Sequence, residues 1–453
     1  MVPVRGFADR RVAVLGLKGP GVAAARALAA GGADVSVWDA DGPQRMSAHA
    51  GGLTVEDPTE RDWGDLAAFI IEDAGLLTTD EPPRLVELAR AVGAPVLAAR
   101  SLLAEAAARE PDVKLALITG RHAQAAADLA LHLMDAAGLS AHDLLAPGPA
   151  HADGWVIGAL SRDELSSLPD IVEADAFVAL SPGAGAGTGA GTGAGPEAGR
   201  GSLSGALERL ADGALHALIA SAEARPCARL IANRRGAHTA AISGRQVLGG
   251  GVYVSGGALF DALGAKAVRA GAVAAFAPRE AVAAGYALAR RLGVGAEVAA
   301  RALKDWPGAP GFGRRVLQFG PVSLVDWSAA RTPAGAVDVL SGRAPSVWVA
   351  GPALDAHAGD LLAEAGEAGG ALRAVHLVTD RGRAARTLKK SVPCTVHRTL
   401  AAAIAHAAHD ALKQGAGGCT LVYAPGSVSG ESSQGFESAA NALLSRALKG
   451  DAA

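Results

Sequence analysis

The sequence predicts an α/β protein of three domains, each organised around a mainly parallel sheet. Two apolar runs, beginning at Arg11 and Leu115, end in glycine turns that lead into Ala-rich helices, as a buried strand followed by a helix would. Further strand and helix patterns follow up to the C-terminus, and 453 residues are enough for two or three domains. We place the domains at residues 1–110, 111–305 and 306–453.

The composition narrows the class of protein. Half of the residues are hydrophobic but aromatics are only 4%, so the core is expected to consist of small aliphatic side chains. A net charge of −3 gives no electrostatic reason to expect a nucleic acid or an anionic membrane as partner. The cysteines, Cys227, Cys394 and Cys419, lack metal-site spacing and suit a reducing compartment. With neither a signal-peptide core nor an apolar run of ~18–20 residues, the chain is expected to be cytoplasmic.

The first domain opens with a strand–helix–strand pattern typical of a Rossmann half. The strand from Arg11 leads into the glycine turn at Gly16, and a helix follows over residues 22–30. The second strand ends at Asp39, about twenty residues after the turn, as in nucleotide-binding Rossmann units. The glycines are spaced GxxGxG rather than GxGxxG, which weakens the case for NAD. An NAD site and a purely structural unit remain alternatives.

The second domain begins with a strand–turn–helix in which a P-loop would sit. The strand ends at Thr119, the turn starts at Gly120, and the helix stops near Gly138. A P-loop needs small residues, a Lys for the outer phosphates and a hydroxyl for Mg²⁺. None of these polar groups is present in the residues after Gly120, which are Arg121, His122, Ala123, Gln124, Ala125 and Ala126.

This turn resembles the loop of the Mur ligase family, I-T-G-T-N-G-K-[ST]-T, whose members join an amino acid to a UDP-muramoyl precursor using ATP. Aligned on Ile118-Thr119-Gly120, the family's Lys falls on Gln124 and its metal-binding hydroxyl on Ala125. The remnant of the nucleotide loop is then Thr119, Gly120, Arg121 and Gln124.

The N-terminal turn resembles the one that holds UDP in the D-glutamate-adding members of this family. By that resemblance the candidate UDP-sugar residues are Gly16, Leu17, Lys18, Gly19 and Asp39. The family's S-P-G motif falls near residues 72–75, where this chain has Glu-Asp-Ala-Gly instead.

Other motifs of the family are also altered. The strand-end Glu that serves Mg²⁺ in the family falls near Gly158 and Ala159, and residues 203–218 lack the family's modified Lys. A Gly/Ala/Thr repeat over residues 183–201 replaces the N-x-x-x-D-H-x-D segment. Such a repeat is expected to be a flexible coil spanning about 25 Å, with no function of its own.

The third domain resembles the family in two segments. Residues 312–333 match at Arg314, Ser328, Ala330 and Pro333, while the family's Lys and Asp fall on Ala329 and Trp327. Near the C-terminus, Ser429 and Phe436 fall on residues that grip D-glutamate in the family. An ordinary turn serine and a helix-face phenylalanine remain the alternatives.

Two further patterns lie outside the family motifs. Residues 227–233 favour a strand, and residues 250–261 favour a hairpin. His406 and His409 lie three apart on a predicted helix, downstream of His397. Two histidines without a third ligand are usually surface residues, so we predict no metal site.

The resemblance implies a Rossmann-like N-terminal domain, a central P-loop-type mononucleotide-binding domain and a Rossmann-like C-terminal domain. ATP and Mg²⁺ are expected as cofactors only because of the family resemblance. The resemblance also implies a UDP-muramoyl precursor or other cell-wall enzymes as partners. We expect ATP-dependent ligation to be lost or strongly impaired, and we assign no catalytic residue. The alternative is an active D-glutamate-adding ligase with a rebuilt phosphate site.

Overall fold

The structure is a computed structural model. The residues that it describes are 2–60, 62–77, 79, 82–146, 154–182, 203–232, 234, 238–340, 345–351, 371–378, 383–389, 392–413, 419–426 and 432–448. The chain divides into two compact units. The first comprises Met1–Gly271 and Glu280–Lys304, and the second comprises Ala272–Arg279 and Asp305–Ala453.

The first unit contains a five-stranded parallel sheet of order β3-β2-β1-β4-β5. Its strands are β1 (Arg11–Leu15), β2 (Asp34–Trp38), β3 (Thr54–Val55), β4 (Leu66–Ile71) and β5 (Val96–Ala98). Its helices are α1 (Gly19–Ala30), α2 (Gly42–Ala50), α3 (Arg84–Ala91) and α4 (Ala99–Arg109). The strand order reverses beside β1, so the carboxyl ends of β2, β1 and β4 meet at the point where open α/β sheets bind ligands.

The same unit contains a nine-stranded sheet of order β14-β13-β12-β11-β10-β9-β6-β8-β7. The strands are β6 (Lys114–Thr119), β7 (Ala141–Asp143), β8 (Trp155–Leu160), β9 (Ala176–Ala179), β10 (Ala217–Ser221), β11 (Thr239–Ser243), β12 (Gly251–Ser255), β13 (Ala258–Ala262) and β14 (Val268–Ala272). The helices are α5 (Ala123–Ala136), α6 (Arg162–Ser166), α7 (Leu203–Gly213), α8 (Arg225–Ala232), α9 (Arg279–Arg291) and α10 (Ala296–Asp305). The pairs from β7 to β12 are parallel, and β12 and β13 form the predicted antiparallel hairpin.

The second unit contains a six-stranded sheet of order β15-β16-β20-β17-β18-β19. Its strands are β15 (Arg314–Phe319), β16 (Val322–Asp326), β17 (Ser346–Ala350), β18 (Leu372–Val378), β19 (Cys394–His397) and β20 (Cys419–Tyr423). Its helices are α11 (Pro333–Leu340), α12 (Arg383–Leu388), α13 (Leu400–Lys413) and α14 (Ser433–Leu448). In this sheet β15 and β16 are antiparallel, and the other pairs of neighbouring strands are parallel.

The predicted α/β class with three sheets is confirmed, and the core is rich in buried Ala, Val, Leu and Ile as expected. The strand predicted over residues 227–233 is wrong, because residues 227–232 lie in α8. Its apolar residues Cys227, Leu230 and Ile231 recur at spacings of three and four, which places them on one face of a helix. No helix among the described residues is long and apolar enough to cross a membrane.

Candidate functional site

The turn between β1 and α1 is held by a glycine with positive φ. Gly16 has φ +93°, and its N–H donates to the carbonyl of Trp38 at 2.9 Å. A Cβ at this position would lie 2.6 Å from the Cβ of Glu72, so only glycine fits. Leu17 is buried, whereas Lys18 and Gly19 are exposed where the helix begins.

Two carboxylates accept hydrogen bonds from consecutive amides of this turn. The Leu17 N–H donates to Asp39 Oδ2 at 2.8 Å, and the Lys18 N–H donates to Glu72 Oε2 at 3.1 Å. Asp39 follows β2 and Glu72 follows β4, the two strands that flank β1. The structure therefore brings together the five predicted residues of this turn and adds Glu72 to them.

Glu72 was not predicted as a site residue, because the sequence marked its segment only by a missing motif. Burial raises the pKa of its carboxyl group, although the Lys18 amide and the Lys18 charge oppose this shift. The signal that could have found it is its position directly after a buried strand next to β1.

A cation covers the aromatic ring beside the same turn. The guanidinium of Arg45 lies 4.6 Å from the ring centroid of Trp38, the last residue of β2. Its Nη1 donates to the carbonyl of Asp39 at 2.6 Å and to that of Ala40 at 3.0 Å. The backbone at the end of β2 is therefore held by a side chain of α2.

The second candidate turn joins β6 to α5. Thr119 is buried, and its hydroxyl donates to the carbonyl of Leu160 at 3.1 Å. Gly120 has φ +105°, and a Cβ there would lie 2.5 Å from the carbonyl oxygen of Leu180. The Arg121 N–H donates to the carbonyl of Ser181 at 2.8 Å. The ends of β6, β8 and β9 are thus held together by this turn.

The first turn of α5 carries the residues that align with the family's Lys and hydroxyl. Gln124 Nε2 donates to Asp143 Oδ2 at 3.1 Å, so the amide is bound to the end of β7. Ala125 is buried. These side chains supply neither a cation nor a hydroxyl for Mg-ATP at this turn.

The carboxyl edge of the central sheet carries two further carboxylates that were not predicted. Glu280 Oε1 accepts from the hydroxyl of Ser181 at 2.8 Å, and the Ser181 hydroxyl oxygen lies 2.9 Å from that of Ser221. Glu223 Oε1 accepts from the hydroxyl of Ser243 at 2.7 Å. Each serine lies at or just after a strand end, which is the sequence signal that could have located the cluster.

Arg121 lies in the same region of the central sheet. Burial lowers the pKa of its guanidinium, the charge of Arg245 lowers it further, and Glu280 opposes the shift. Arg245 lies against Glu223, with Nε 3.7 Å from Oε2. Two cations therefore lie in the environment of the altered loop.

The family's Mg²⁺-serving Glu is expected near Gly158 and Ala159, of which Ala159 lies nearer to the end of β8. Its side chain is buried, and its carbonyl accepts from Arg100 Nη1 at 3.0 Å. Within the described ranges, no group of three or more His, Cys, Asp or Glu side chains is arranged to hold a metal. The repeat over residues 183–201 lies outside the described residues.

In the second unit, Phe436 is buried and its ring stacks on that of Tyr423 with centroids 4.8 Å apart. Its role in amino-acid binding stays a prediction, and Ser429 lies outside the described residues. Trp327, at the position of the family's Asp, is buried and donates its indole N–H to the carbonyl of Phe276 at 3.0 Å.

The chain is similar to curated D-glutamate-adding ligases along most of its length. It is 30% identical over 393 residues to UDP-N-acetylmuramoylalanine–D-glutamate ligase of Phenylobacterium zucineum, covering 78% of each chain. It is 28% identical to the ligase of the same name in Rhizobium etli, covering 98% of this chain and 96% of the relative.

Among solved structures, UDP-N-acetylmuramate–alanine ligase of Thermotoga maritima has a similar fold, with a TM-score of 0.63 at 13% identity over 98% of this chain and all of that one. No protein-family model matches the chain. Identity of 30% over more than three quarters of both sequences nevertheless confirms the predicted resemblance. The chain belongs to the family of UDP-N-acetylmuramoylalanine–D-glutamate ligases, within the Mur ligases.

Proposed function

We propose that this chain serves peptidoglycan precursor synthesis in the cytoplasm as a Mur ligase homologue that has lost ATP-driven ligation. In this role it binds a UDP-muramoyl precursor or another enzyme of cell-wall synthesis. The observation that carries the proposal is the first turn of α5, where Gln124 is bound to Asp143 and Ala125 is buried.

The chemistry explains why these two positions matter. In phosphoryl transfer the protein contributes mainly positioning and charge stabilisation of the phosphates. Removing one preorganised electrostatic donor typically lowers kcat by about 10²–10³. Gln124 and Ala125 replace a cation and a metal-binding hydroxyl, so their combined effect on ligation is larger even when the losses do not add fully.

The end of β8 supports the same conclusion. The family has a Mg²⁺-serving carboxylate near Gly158 and Ala159. Here the Ala159 carbonyl accepts from Arg100, and the nearby Glu164 carboxylate lies 3.8 Å from Arg100 Nε. The Glu164 carboxylate also accepts from the Ser161 N–H at 2.6 Å, so it is already bound within the chain, and the Arg100 charge beside it disfavours Mg²⁺. The residues at the altered loop and at this strand end therefore do not fit Mg-ATP in the arrangement that the family implies.

An active D-glutamate-adding ligase with a rebuilt phosphate site is the second candidate. The observation in its favour is the pair of cations, Arg121 and Arg245, near the altered loop. Under this alternative, the guanidinium of Arg121 takes over part of the charge stabilisation that a loop lysine provides.

The test combines binding and turnover. Mg-ATP is titrated calorimetrically into the full chain, and phosphate release is measured with UDP-N-acetylmuramoyl-L-alanine and D-glutamate. We expect no micromolar ATP binding and no D-glutamate-dependent phosphate release. Micromolar binding together with turnover would overturn the proposal. Loss of that turnover in Arg121→Ala, but not in the control Arg279→Ala, would establish the rebuilt site.

A further inference from the structure

In the N-terminal turn between β1 and α1, backbone amides already donate hydrogen bonds to carboxylates of the chain itself. A helix N-terminus presents backbone N–H groups and a positive dipole end, which together favour an anion. Here the Leu17 and Lys18 amides donate to the carboxylates of Asp39 and Glu72. Two negative charges therefore lie where a diphosphate group would compete for the same donors.

The two carboxylates are not equivalent. Asp39 also accepts from the Asp41 N–H through Oδ1 at 2.8 Å, so its orientation is set by the backbone that follows β2. Such an acid after the second strand is the usual partner of a ribose hydroxyl in nucleotide-binding folds. Glu72 instead comes from the opposite side of β1 and accepts from the amide of Lys18, the residue that precedes the first turn of α1.

The backbone of β4 fixes the place of Glu72. Its N–H donates to the carbonyl of Leu15 at 2.9 Å, continuing the pairing of Leu15 with Ile71. Its Cβ lies against Gly16, where a Cβ on the glycine would approach to 2.6 Å. Only rotation about the side-chain bonds of Glu72 can remove its carboxylate from the turn.

We propose that the Glu72 carboxylate occupies the anion-binding position of the N-terminal turn. The diphosphate of a nucleotide sugar then binds there only after it displaces this carboxylate. The choice of a UDP-sugar as ligand rests on the proposed function, whereas the competition rests on the contacts of Glu72. Glu72 thereby sets the affinity of this turn for phosphate-bearing ligands. Removing its carboxylate group altogether removes both the charge repulsion and the competing acceptor.

The experiment is calorimetric titration of the full chain with UDP, with UDP-N-acetylmuramoyl-L-alanine and with uridine. The variants are Glu72→Ser and Glu72→Gln, with Asp73→Ser as the matched control. Asp73 is exposed and its Oδ1 accepts from the Gly75 N–H, so its substitution removes the same charge nearby without clearing the turn. Thermal melting of each variant verifies that it is folded.

We expect Glu72→Ser to bind UDP and the UDP-sugar at least tenfold more tightly than the wild type. Glu72→Gln should gain less, because its amide oxygen can still accept from Lys18. Asp73→Ser should bind UDP as the wild type does, and uridine binding should not change in any variant. A UDP affinity of Glu72→Ser within threefold of the wild-type value overturns the proposal. An equal gain for uridine also overturns it, since uridine carries no phosphate.

Failure of this inference is distinguishable from failure of the proposed function. The proposed function is tested by ATP binding and ligation in the wild type, whereas the inference about Glu72 is tested by the UDP affinity of its variants. Ligation by the wild type would overturn the proposed function and leave a gain in Glu72→Ser intact. An unchanged UDP affinity with ligation absent would overturn only the inference about Glu72.

Discussion

The imidazoles of His376 and His397 face each other with Nδ1 and Nε2 3.0 Å apart. Their rings are 22° from parallel with centroids 5.2 Å apart, so the two nitrogens lie nearly on the line between the rings. His376 Nε2 faces Asp410 Oδ2 at 3.3 Å. Two neutral rings fit this geometry: His397 donates through Nε2 to His376 Nδ1, and the protonated Nε2 of His376 then faces the Asp410 carboxylate. Both histidines are buried.

We predict that this pair makes the protein less stable in mild acid. Burial lowers the pKa of His397 to about 4, with His376 and His406 adding to the shift and Asp410 opposing it, and burial also lowers the pKa of His376. Because the unfolded chain then binds more protons, stability falls as the pH drops from 6.5 towards 4, by about 2 kcal/mol. Denaturation with urea at pH 7.5, 6 and 5 measures this.

The matched variant is His397→Gln, which removes the titrating group. Its free energy of unfolding should change less than that of the wild type over this pH range. The exposed His409, substituted by Gln, should leave the wild-type profile unchanged. Identical profiles for all three proteins would contradict the prediction.

Gly16→Ala should destabilise the first unit. Its φ of +93° is unfavourable for alanine, and the added methyl group would meet the Cβ of Glu72 at 2.6 Å. We expect a loss of about 2 kcal/mol in the free energy of unfolding. Gly19→Ala is the control, because a Cβ there has no neighbour within 4 Å. Equal stability of the two variants would show that the turn is not constrained at Gly16.

Phe436→Ala should lower the free energy of unfolding of the second unit by about 3 kcal/mol, because it leaves a cavity beside Tyr423. Phe436→Leu keeps most of the volume and should lose about 1 kcal/mol. Chemical denaturation monitored by tryptophan fluorescence measures both. Wild-type stability of Phe436→Ala would contradict the core role.

The native thiols should react slowly. Cys227, Cys394 and Cys419 are buried, and burial raises the pKa of each, to about 11 for Cys227 and Cys394. At pH 8 a thiol with that pKa is ionised to about one part in a thousand. Labelling with Ellman's reagent should be slow in the native protein and complete in guanidinium chloride. Rapid labelling of the native protein would show that the thiols are accessible.

Local sequence patterns located much of the candidate site. The glycine turns at Gly16 and Gly120, the acid at Asp39 and the helix that ends before Gly138 were predicted from apolar runs and turn residues, and the structure has them there. His406 and His409 are exposed on α13 as predicted. The strand predicted over residues 227–233 is wrong because a short apolar run is compatible with both a strand and a helix. The segment forms helix α8, which buries Cys227 and Leu230.

The partners of these turns could not be predicted from local patterns. Glu72 reaches Lys18 across 54 residues, His376 reaches His397 across 21, and Ser181 reaches Glu280 across 99. The sequence by itself determined the α/β class, the family and the places where strands give way to helices, because these depend on neighbours along the chain. Only the tertiary structure decided which charges share a site, because strand order and register bring distant strand ends to one edge of a sheet.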